Sequence, residues 1–164
     1  MVPDADGKNP SGVRGERYRL RGPSRIDPPQ PAPATKRVLF VCIGNSCRSQ
    51  MAEAFAKSYG ADIMEVHSAG LAPASYIAPL TKQTLGEWNL HIDDHFPKGL
   101  DVMQQQSFDV VVNMSGTPLR RPGARVVDWM VPDPIGQSED FYRTVATQIE
   151  GLVMRLILEL RAPA

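Results

Sequence analysis

A cysteine and an arginine six positions apart are the most chemically suggestive side chains of the sequence. Cys42 and Arg48 stand at the two ends of this run, and between them lie Ile43, Gly44, Asn45, Ser46 and Cys47. Only a thiolate is nucleophilic, and a guanidinium can bind two oxygens of an oxyanion at once. Gly44 and Asn45 tolerate positive φ, so we expect the backbone amides of the five residues to curl inward. The pattern predicts a cradle for a tetrahedral oxyanion, phosphate or arsenate, beside a cysteine nucleophile.

The sulfur of Cys42 must carry a negative charge to attack, so its surroundings must stabilise that charge. A helix dipole contributes about 0.3–2 kcal/mol, which is too little by itself. We expect the loop amides, Arg48 and the hydroxyl of Ser49, which also contacts the bound anion, to contribute the rest. The plain alternative is a buried apolar cysteine at the end of a strand. The spacing of glycine, asparagine, arginine and serine after Cys42 argues against that alternative.

The elements that position this loop follow from the hydrophobic pattern around it. The run Val38–Val41 is apolar throughout and predicts a strand buried on both faces of a parallel sheet. Met51, Phe55 and Tyr59 recur at helical spacing and predict a helix that ends at Gly60. Further strands are predicted at 63–66, 110–112 and 126–127, and further helices at 79–89, 97–105 and 139–160. This alternation indicates an α/β fold with a parallel, doubly wound sheet, in which ligands bind beyond the carboxyl ends of the strands.

The last helix has the strongest local signals. Ser138 is a suitable N-cap, and Glu139 and Asp140 fall in the first turn, where a negative charge is favourable. One apolar stripe follows at helical spacing and comprises Tyr142, Val145, Ile149, Leu152, Leu156 and Leu160.

The first 36 residues differ in composition from the rest. They carry seven Lys and Arg against four Asp and Glu, and seven of the fifteen prolines. We therefore expect a disordered, Pro-rich basic tail at 1–36 and a catalytic domain at 37–164. The tail is either a docking arm or an extension without a role.

Composition also excludes several classes of function. The formal net charge is zero, which removes the general electrostatic argument for a nucleic-acid partner. No apolar run approaches the ~18 residues of a membrane span, and the N-terminus lacks the apolar core of a secretory signal, so we expect no membrane partner and a cytoplasmic location. Two cysteines are too few for a disulfide scaffold, and the three histidines lack metal-ligand spacing, so no metal is expected.

Because Cys42 and Cys47 share one loop, oxidation is predicted to join them by a reversible disulfide. The alternative is that Cys47 merely packs beneath the loop.

The sequence resembles the low-molecular-weight protein-tyrosine phosphatases and the arsenate reductases that share their fold. The resemblance lies in the stretch VLFVCIGNSCRSQMAEAFA, the triplet Ser68-Ala69-Gly70 and the pair Asp133-Pro134. It covers about residues 37–160. It implies a four-stranded parallel sheet with helices on both faces and a phosphate-binding loop after the first strand.

The resemblance also implies a role for each site residue. Cys42 is the nucleophile that forms a phosphocysteine, Arg48 holds the equatorial oxygens, and Asp133 is the general acid on the leaving oxygen. Such an acid is chemically reasonable because an alkoxide leaves far better when it is protonated as the bond breaks. Asp128 is the alternative acid. The residues implied to support the loop by hydrogen bonds are Asn45, Ser49, Ser68 and His95.

Two departures from the family pattern bear on the substrate. Ile135 and Gly136 follow the Asp-Pro pair, where the phosphatases carry aromatic residues, and this weakens the case for phosphotyrosine. Residues 113–122 lack the redox cysteine pair of the thioredoxin-coupled arsenate reductases, which excludes that mechanism. A reductase that uses a small thiol or glutaredoxin needs only Cys42 and stays open.

The sequence therefore predicts a cysteine-dependent phosphomonoester hydrolase of the protein-tyrosine-phosphatase type, with a phosphate monoester or a phosphotyrosine protein as substrate. No metal or organic cofactor is implied. The first alternative is an arsenate reductase that takes arsenate and an external small thiol or glutaredoxin. The second is an oxyanion-binding module without turnover, against which the presence of Cys42, Arg48 and Asp133 together argues.

Overall fold

Strands and helices alternate along the chain in the structure, which is a computed structural model that describes residues 35–163. The tail predicted at 1–36 lies outside the described residues except for its last two positions, and the first strand begins at Lys36. The elements are β1 (Lys36–Cys42), α1 (Arg48–Gly60), β2 (Met64–Gly70), α2 (Pro79–Glu87), a 3₁₀ helix (Leu100–Met103), β3 (Val110–Asn113), β4 (Arg125–Asp128) and α3 (Glu139–Arg161).

The four strands form one parallel sheet in the order β2-β1-β3-β4. β1 pairs with β2 on one side, from Lys36 opposite Met64 to Cys42 opposite Gly70, and with β3 on the other side. The chain therefore winds in both directions from β1, and the crevice where this winding reverses lies beyond the carboxyl end of that strand. Cys42 is the last residue of β1, so the predicted nucleophile stands at the position where this fold binds ligands. The predicted fold class is confirmed.

The core lies on both faces of the sheet. Val38, Phe40 and Cys42 point to the face on which the three α-helices pack. Leu39 and Val41 point to the opposite face, where the 3₁₀ helix and the neighbouring loops cover them. All five residues are at most 2% exposed, as expected for a strand in the centre of a covered parallel sheet.

The helix predicted at 97–105 does not form, and only the 3₁₀ helix Leu100–Met103 is present. The cause is a pair of backbone hydrogen bonds that residues distant in sequence make with Lys98. Its amide donates to the side chain of Asn45 at 2.9 Å, and its carbonyl accepts from the amide of Gly70 at 2.9 Å. These bonds hold the backbone of Lys98 against the first loop and the end of β2, so it does not form a helical turn.

The last helix follows its sequence signals. The side chain of Ser138 caps α3 by accepting a hydrogen bond from the amide of Phe141 at 3.2 Å, and Glu139 and Asp140 occupy the first turn. Among the helices that the structure describes, none is both long enough and apolar enough to cross a bilayer.

Candidate active site

The loop between β1 and α1 curls because its carbonyl groups are bound from outside. The segment after β2 donates amide hydrogen bonds to three of them: Leu71 to Cys42 at 3.1 Å, Ala72 to Ile43 at 2.8 Å, and Ala74 to Gly44 at 2.9 Å. The other three carbonyl groups also have donors. The Asn45 carbonyl accepts from the side chain of Gln50, the Ser46 carbonyl accepts from Ala78 and Thr81, and the Cys47 carbonyl accepts from the amide of Met51 in α1. With every carbonyl directed outward, the amides face the centre of the curl, as an anion cradle requires.

Two backbone positions make this curl sterically possible. Asn45 adopts a left-handed conformation with φ 51°, as predicted, whereas Gly44 does not need positive φ. The sequence did not predict a steric role for Gly70. A Cβ atom there would stand 2.6 Å from the carbonyl oxygen of Ile43 and 2.8 Å from the amide nitrogen of Asn45. Gly70 therefore lets β2 approach the back of the loop.

Hydrogen-bond directions near Cys42 can be deduced from the donors present. The Cys42 sulfur lies 2.9 Å from the hydroxyl oxygen of Ser49, and Asn45 Nδ2 lies 2.7 Å from that same oxygen. An amide nitrogen can only donate, so the Ser49 oxygen accepts from Asn45 and its own proton is directed at the sulfur. Such a hydrogen bond stabilises the thiolate more than the thiol.

The side chain of Asn45 is itself held on all sides. Its amide group also donates to Ser68 Oγ at 3.0 Å, and its carbonyl oxygen accepts from Gln50 Nε2 at 3.1 Å and from the amide of Lys98 at 2.9 Å. The hydroxyl group of Ser68 donates a hydrogen bond to the buried carboxylate of Glu53. Burial acts to raise the pKa of Glu53, but hydrogen bonds from Lys57 and Ser68 outweigh it and lower that pKa below its usual value.

His95 contacts this network through Gln50 rather than through the loop itself. Its Nδ1 lies 2.9 Å from Gln50 Oε1. Because Gln50 uses its nitrogen to bond Asn45, its oxygen is the acceptor, so Nδ1 of His95 carries the proton. Burial lowers the pKa of His95, which favours the neutral ring at neutral pH.

Arg48 lies in the first turn of α1 and is 6% exposed. Its Nη1 donates to the carbonyl oxygens of Met114 at 2.6 Å and Val131 at 3.1 Å, which fixes the plane of the guanidinium. Nη2 lies 3.6 Å from Oδ2 of Asp133. The structure thus brings together Arg48 and Asp133, the predicted clamp and the predicted acid.

Asp133 is exposed and is held by its own loop, where its Oδ1 accepts a hydrogen bond from the amide of Ile135 at 3.1 Å. The alternative acid, Asp128, ends β4 and accepts from Asn113 Nδ2 at 2.9 Å. Asp128 is therefore occupied in joining the ends of β3 and β4. The geometry favours Asp133 as the acid, and its role stays a prediction.

Cys47 immediately precedes α1, and both cysteines are free thiols. Burial raises the pKa of Cys47 to about 12, and the negative charge of Cys42 adds to that effect. The Cys47 thiol is therefore protonated at neutral pH, and its predicted contact with the anion falls to its backbone amide.

A groove of about 470 Å³ adjoins the loop at Ser46. Ile135 and Gly136 line one part of it, and two aromatic residues that the sequence did not assign there, Tyr76 and Tyr142, line other parts. Aromatic walls are thus supplied by the segment after β2 and by α3 instead of by the residues after Asp133. No acidic or basic residue lines the groove, and burial raises the pKa of Tyr142 to about 12, so its phenol stays protonated at neutral pH.

Three further residues of the site escaped the sequence analysis, namely Gln50, Glu53 and Lys98. Gln50 and Glu53 are buried on α1 at no more than 5% exposure. The sequence offers only their polar side chains beside Met51 and Phe55 on a predicted helix, and their burial and partners are visible only in the structure. Lys98 carries no such signal, because its role depends on contacts with residues distant in sequence.

Comparisons with known proteins agree with this geometry. The family model described as low molecular weight phosphotyrosine protein phosphatase matches residues 37–126. A glutaredoxin arsenate reductase of Synechocystis sp. is 36% identical over 130 residues, which is 76% of this chain and 98% of the relative. An arsenate reductase of Bacillus cereus is 34% identical over 125 residues, 73% of this chain and 92% of the relative.

A solved structure described as an arsenate reductase in the phosphate binding state has the same fold, with a TM-score of 0.71 and 34% identity. The match covers 77% of this chain and 99% of that one. The chain is therefore similar over most of its described length to proteins that bear the name arsenate reductase.

Proposed function

The chain belongs to the low molecular weight phosphotyrosine protein phosphatase family, and we propose that within this family it is an arsenate reductase that uses an external thiol. One observation carries the choice: the relatives that match over nearly their whole length are arsenate reductases by name. The sequence alone predicts phosphomonoester hydrolysis, whereas the comparisons favour the alternative, arsenate reduction. Arsenate and phosphate have the same tetrahedral shape, so the loop alone does not separate them.

In the first step the Cys42 thiolate attacks the arsenic atom of arsenate. A sulfur–arsenic bond forms, one arsenic–oxygen bond breaks, and the departing oxygen leaves as water after it takes a proton from Asp133. Arg48 and the inward amides hold the remaining oxygens. The proton that Ser49 directs at the sulfur favours the thiolate before the attack.

The second step needs a thiol from outside the chain. The full sequence has two cysteines, and Cys47 is buried with a pKa of about 12, which makes it a slow nucleophile at neutral pH. An external thiolate attacks the Cys42 sulfur, the sulfur–arsenic bond breaks, and its electron pair stays on arsenic, which leaves as arsenite. A second external thiol then reduces the mixed disulfide and returns Cys42 as a thiolate. The thiols lose two electrons and arsenic gains two.

Phosphomonoester hydrolysis is the second candidate, and the groove beside Ser46 favours it. Tyr76, Ile135 and Tyr142 offer apolar contact to an aryl leaving group, and Asp133 lies at the same mouth of the loop. In this reaction the Cys42 thiolate attacks phosphorus, Asp133 protonates the leaving oxygen, and water then hydrolyses the phosphocysteine.

A side-by-side assay separates the candidates. Purified protein is given arsenate with glutathione, with glutathione plus glutaredoxin, or with no thiol, and arsenite is measured; the same preparation is given an aryl phosphate. We expect thiol-dependent arsenite release at a rate well above that of ester hydrolysis. Rapid ester hydrolysis without arsenite in any thiol condition overturns the proposal in favour of the phosphatase. Oxyanion binding with neither activity points to the binding module.

A further inference from the structure

Lys98 contacts the residues that support the loop in two ways: its backbone contacts Asn45, and its side chain contacts Ser68. Its amide donates to Asn45 Oδ1 at 2.9 Å. Its Nζ lies 3.5 Å from Ser68 Oγ and 3.3 Å from the carbonyl oxygen of Phe96, and the ammonium stacks over the Phe96 ring at 5.3 Å from the centroid. Lys98 is partly buried, and this burial lowers its pKa.

The ammonium of Lys98 and the carboxylate of Glu53 meet at Ser68. Ser68 Oγ accepts from Asn45 and faces the Lys98 ammonium, and its own proton goes to Glu53. Lys57 pairs with the other oxygen of Glu53 at 2.6 Å, from the solvent side. The Cys42 thiolate is a second negative charge near the buried carboxylate of Glu53. Without cations beside Glu53, repulsion between the two charges would disfavour the thiolate.

We propose that Lys98 is a positioning residue whose positive charge beside Ser68 favours one direction of the hydrogen bonds that run from Glu53 through Ser68 and Asn45 to Ser49, with the Ser49 proton directed at the Cys42 sulfur. The ammonium beside Ser68 favours the arrangement in which that oxygen accepts from Asn45 and its proton goes to Glu53. It adds to the Lys98 amide and Gln50, which bind Asn45 Oδ1 and turn the Asn45 amide nitrogen towards Ser68 and Ser49, so the Ser49 proton is left for the sulfur. The inference rests on the proposed use of Cys42 as a nucleophile and holds for either candidate reaction.

Other charged groups face the two ends of this chain. Arg48, Asp133 and the protonated thiol of Cys47 lie around Cys42, and the charges of Cys42, Asp133 and Arg48 all act on the pKa of Cys47. His95 and Lys57 lie around Glu53 and Lys98. Substitution at Lys98 leaves the groups around Cys42 in place, so a change in the acidity of the sulfur can be attributed to the chain of hydrogen bonds.

The test is the pH dependence of Cys42 alkylation by iodoacetamide, with the modified cysteine identified by mass spectrometry. Because alkylation needs no turnover, its result is independent of whether the protein reduces arsenate. In Lys98→Met we expect the midpoint of the alkylation profile to rise by about half to one pH unit, with a three- to tenfold slower reaction near neutral pH. Lys98→Arg keeps the charge and should stay close to wild type.

Two further variants sharpen the result. Lys98→Gln keeps a hydrogen-bond donor without the charge and should behave like Lys98→Met. Lys57→Met removes the other cation beside Glu53, which does not contact Ser68, and should shift the midpoint by less than half as much. Every Lys98 variant retains the backbone bonds to Asn45 and Gly70, so folding can be verified by thermal melting before alkylation.

An unchanged midpoint in Lys98→Met overturns the inference. So does a wild-type profile in Lys98→Gln, since the charge is then unnecessary, or an equal shift in Lys57→Met, since any cation near Glu53 then suffices. If Lys98→Met melts too early for the measurement, Lys98→Gln at low temperature decides alone.

Discussion

The proton of the Ser49 hydroxyl points at the sulfur of Cys42, 2.9 Å away, because Asn45 already donates to the Ser49 oxygen. The direction of this one bond ties the nucleophile to residues on three other segments of the chain, through Ser68, Gln50 and Lys98. The chemistry proposed for Cys42 thus depends on groups that never contact the substrate.

Replacing Cys42 by serine should abolish turnover and preserve binding. The serine hydroxyl stays protonated where the thiol ionises, while the loop amides and Arg48 remain in place. We expect Cys42→Ser to bind phosphate or vanadate, measured by calorimetry, within about threefold of wild type and to lose more than ~10³ in kcat. Residual activity within tenfold of wild type would remove Cys42 as the nucleophile.

The leaving group tests Asp133. Asp133→Asn should slow hydrolysis of alkyl phosphates by about 10²–10⁴ and hydrolysis of nitrophenyl phosphate far less, because nitrophenoxide needs little protonation. Asp128→Asn is the matched control: it removes the charge, keeps an oxygen that can accept from Asn113 Nδ2, and should leave the ratio of the two rates unchanged. Equal losses for good and poor leaving groups in Asp133→Asn contradict the assignment.

A methyl group at position 70 should damage the loop from behind. In Gly70→Ala the new Cβ stands 2.6 Å from the Ile43 carbonyl oxygen and 2.8 Å from the Asn45 amide nitrogen, so the loop backbone must shift. We expect a loss of about 1–3 kcal/mol in the free energy of unfolding and at least tenfold weaker phosphate binding. Gly86→Ala in α2 meets nothing within 4 Å and should gain about 0.5–1 kcal/mol instead, measured by urea unfolding. Unchanged phosphate affinity in Gly70→Ala would contradict the steric argument.

Oxidation should join the two cysteines. Peroxide converts the Cys42 thiolate to a sulfenic acid, and attack by the Cys47 sulfur then releases water and forms a disulfide. Because burial raises the pKa of Cys47 to about 12, this second step should be slow at neutral pH and faster in alkali. We expect mass spectrometry of the peroxide-treated protein to show the loss of two hydrogens and full recovery with dithiothreitol. In Cys47→Ala the same treatment should carry Cys42 to the sulfinic acid. A wild-type protein whose Cys42 becomes sulfinic while Cys47 stays free shows that Cys47 only packs.

Acid should destabilise the fold partly through His95. Burial lowers the pKa of His95 below its model-peptide value of 6.5, so the unfolded chain takes up the proton more readily than the folded one. The free energy of unfolding that this difference contributes is fully present above pH 6.5. It is lost as the pH falls through the lower pKa that His95 has in the folded state. Urea unfolding at about pH 7.5 and 5.5 should show a smaller difference for His95→Gln than for wild type. Identical differences exclude this contribution.

The parts of the fold that depend on nearby residues were predictable from the sequence. β1 follows from an uninterrupted apolar run, and the start of α3 follows from Ser138 with its two acidic neighbours. The nucleophile loop carries its own signature of spacing between Cys42 and Arg48. Each of these signals lies within ten residues of the structure that it specifies.

The parts that failed depend on contacts between distant residues. The helix predicted at 97–105 is lost because Lys98 bonds Asn45, 53 positions earlier, and Gly70. Gln50 was missed because its polar side chain is explained only when the loop, His95 and the Phe96 carbonyl meet around it. A pattern read along one helix cannot indicate such partners.

The segment after β2 binds the loop with its backbone and faces the groove with its side chains. Ala74 donates its amide to Gly44, Ala78 donates to Ser46, and both residues also line the groove. The groove-lining side chains of this segment can therefore be exchanged without loosening the loop, whereas an inserted residue or a proline would break the pairing. Directed evolution of the groove should accept substitutions at positions 74–76 and 78, retain Ile77, which is buried in the core, and reject changes in the length of the segment.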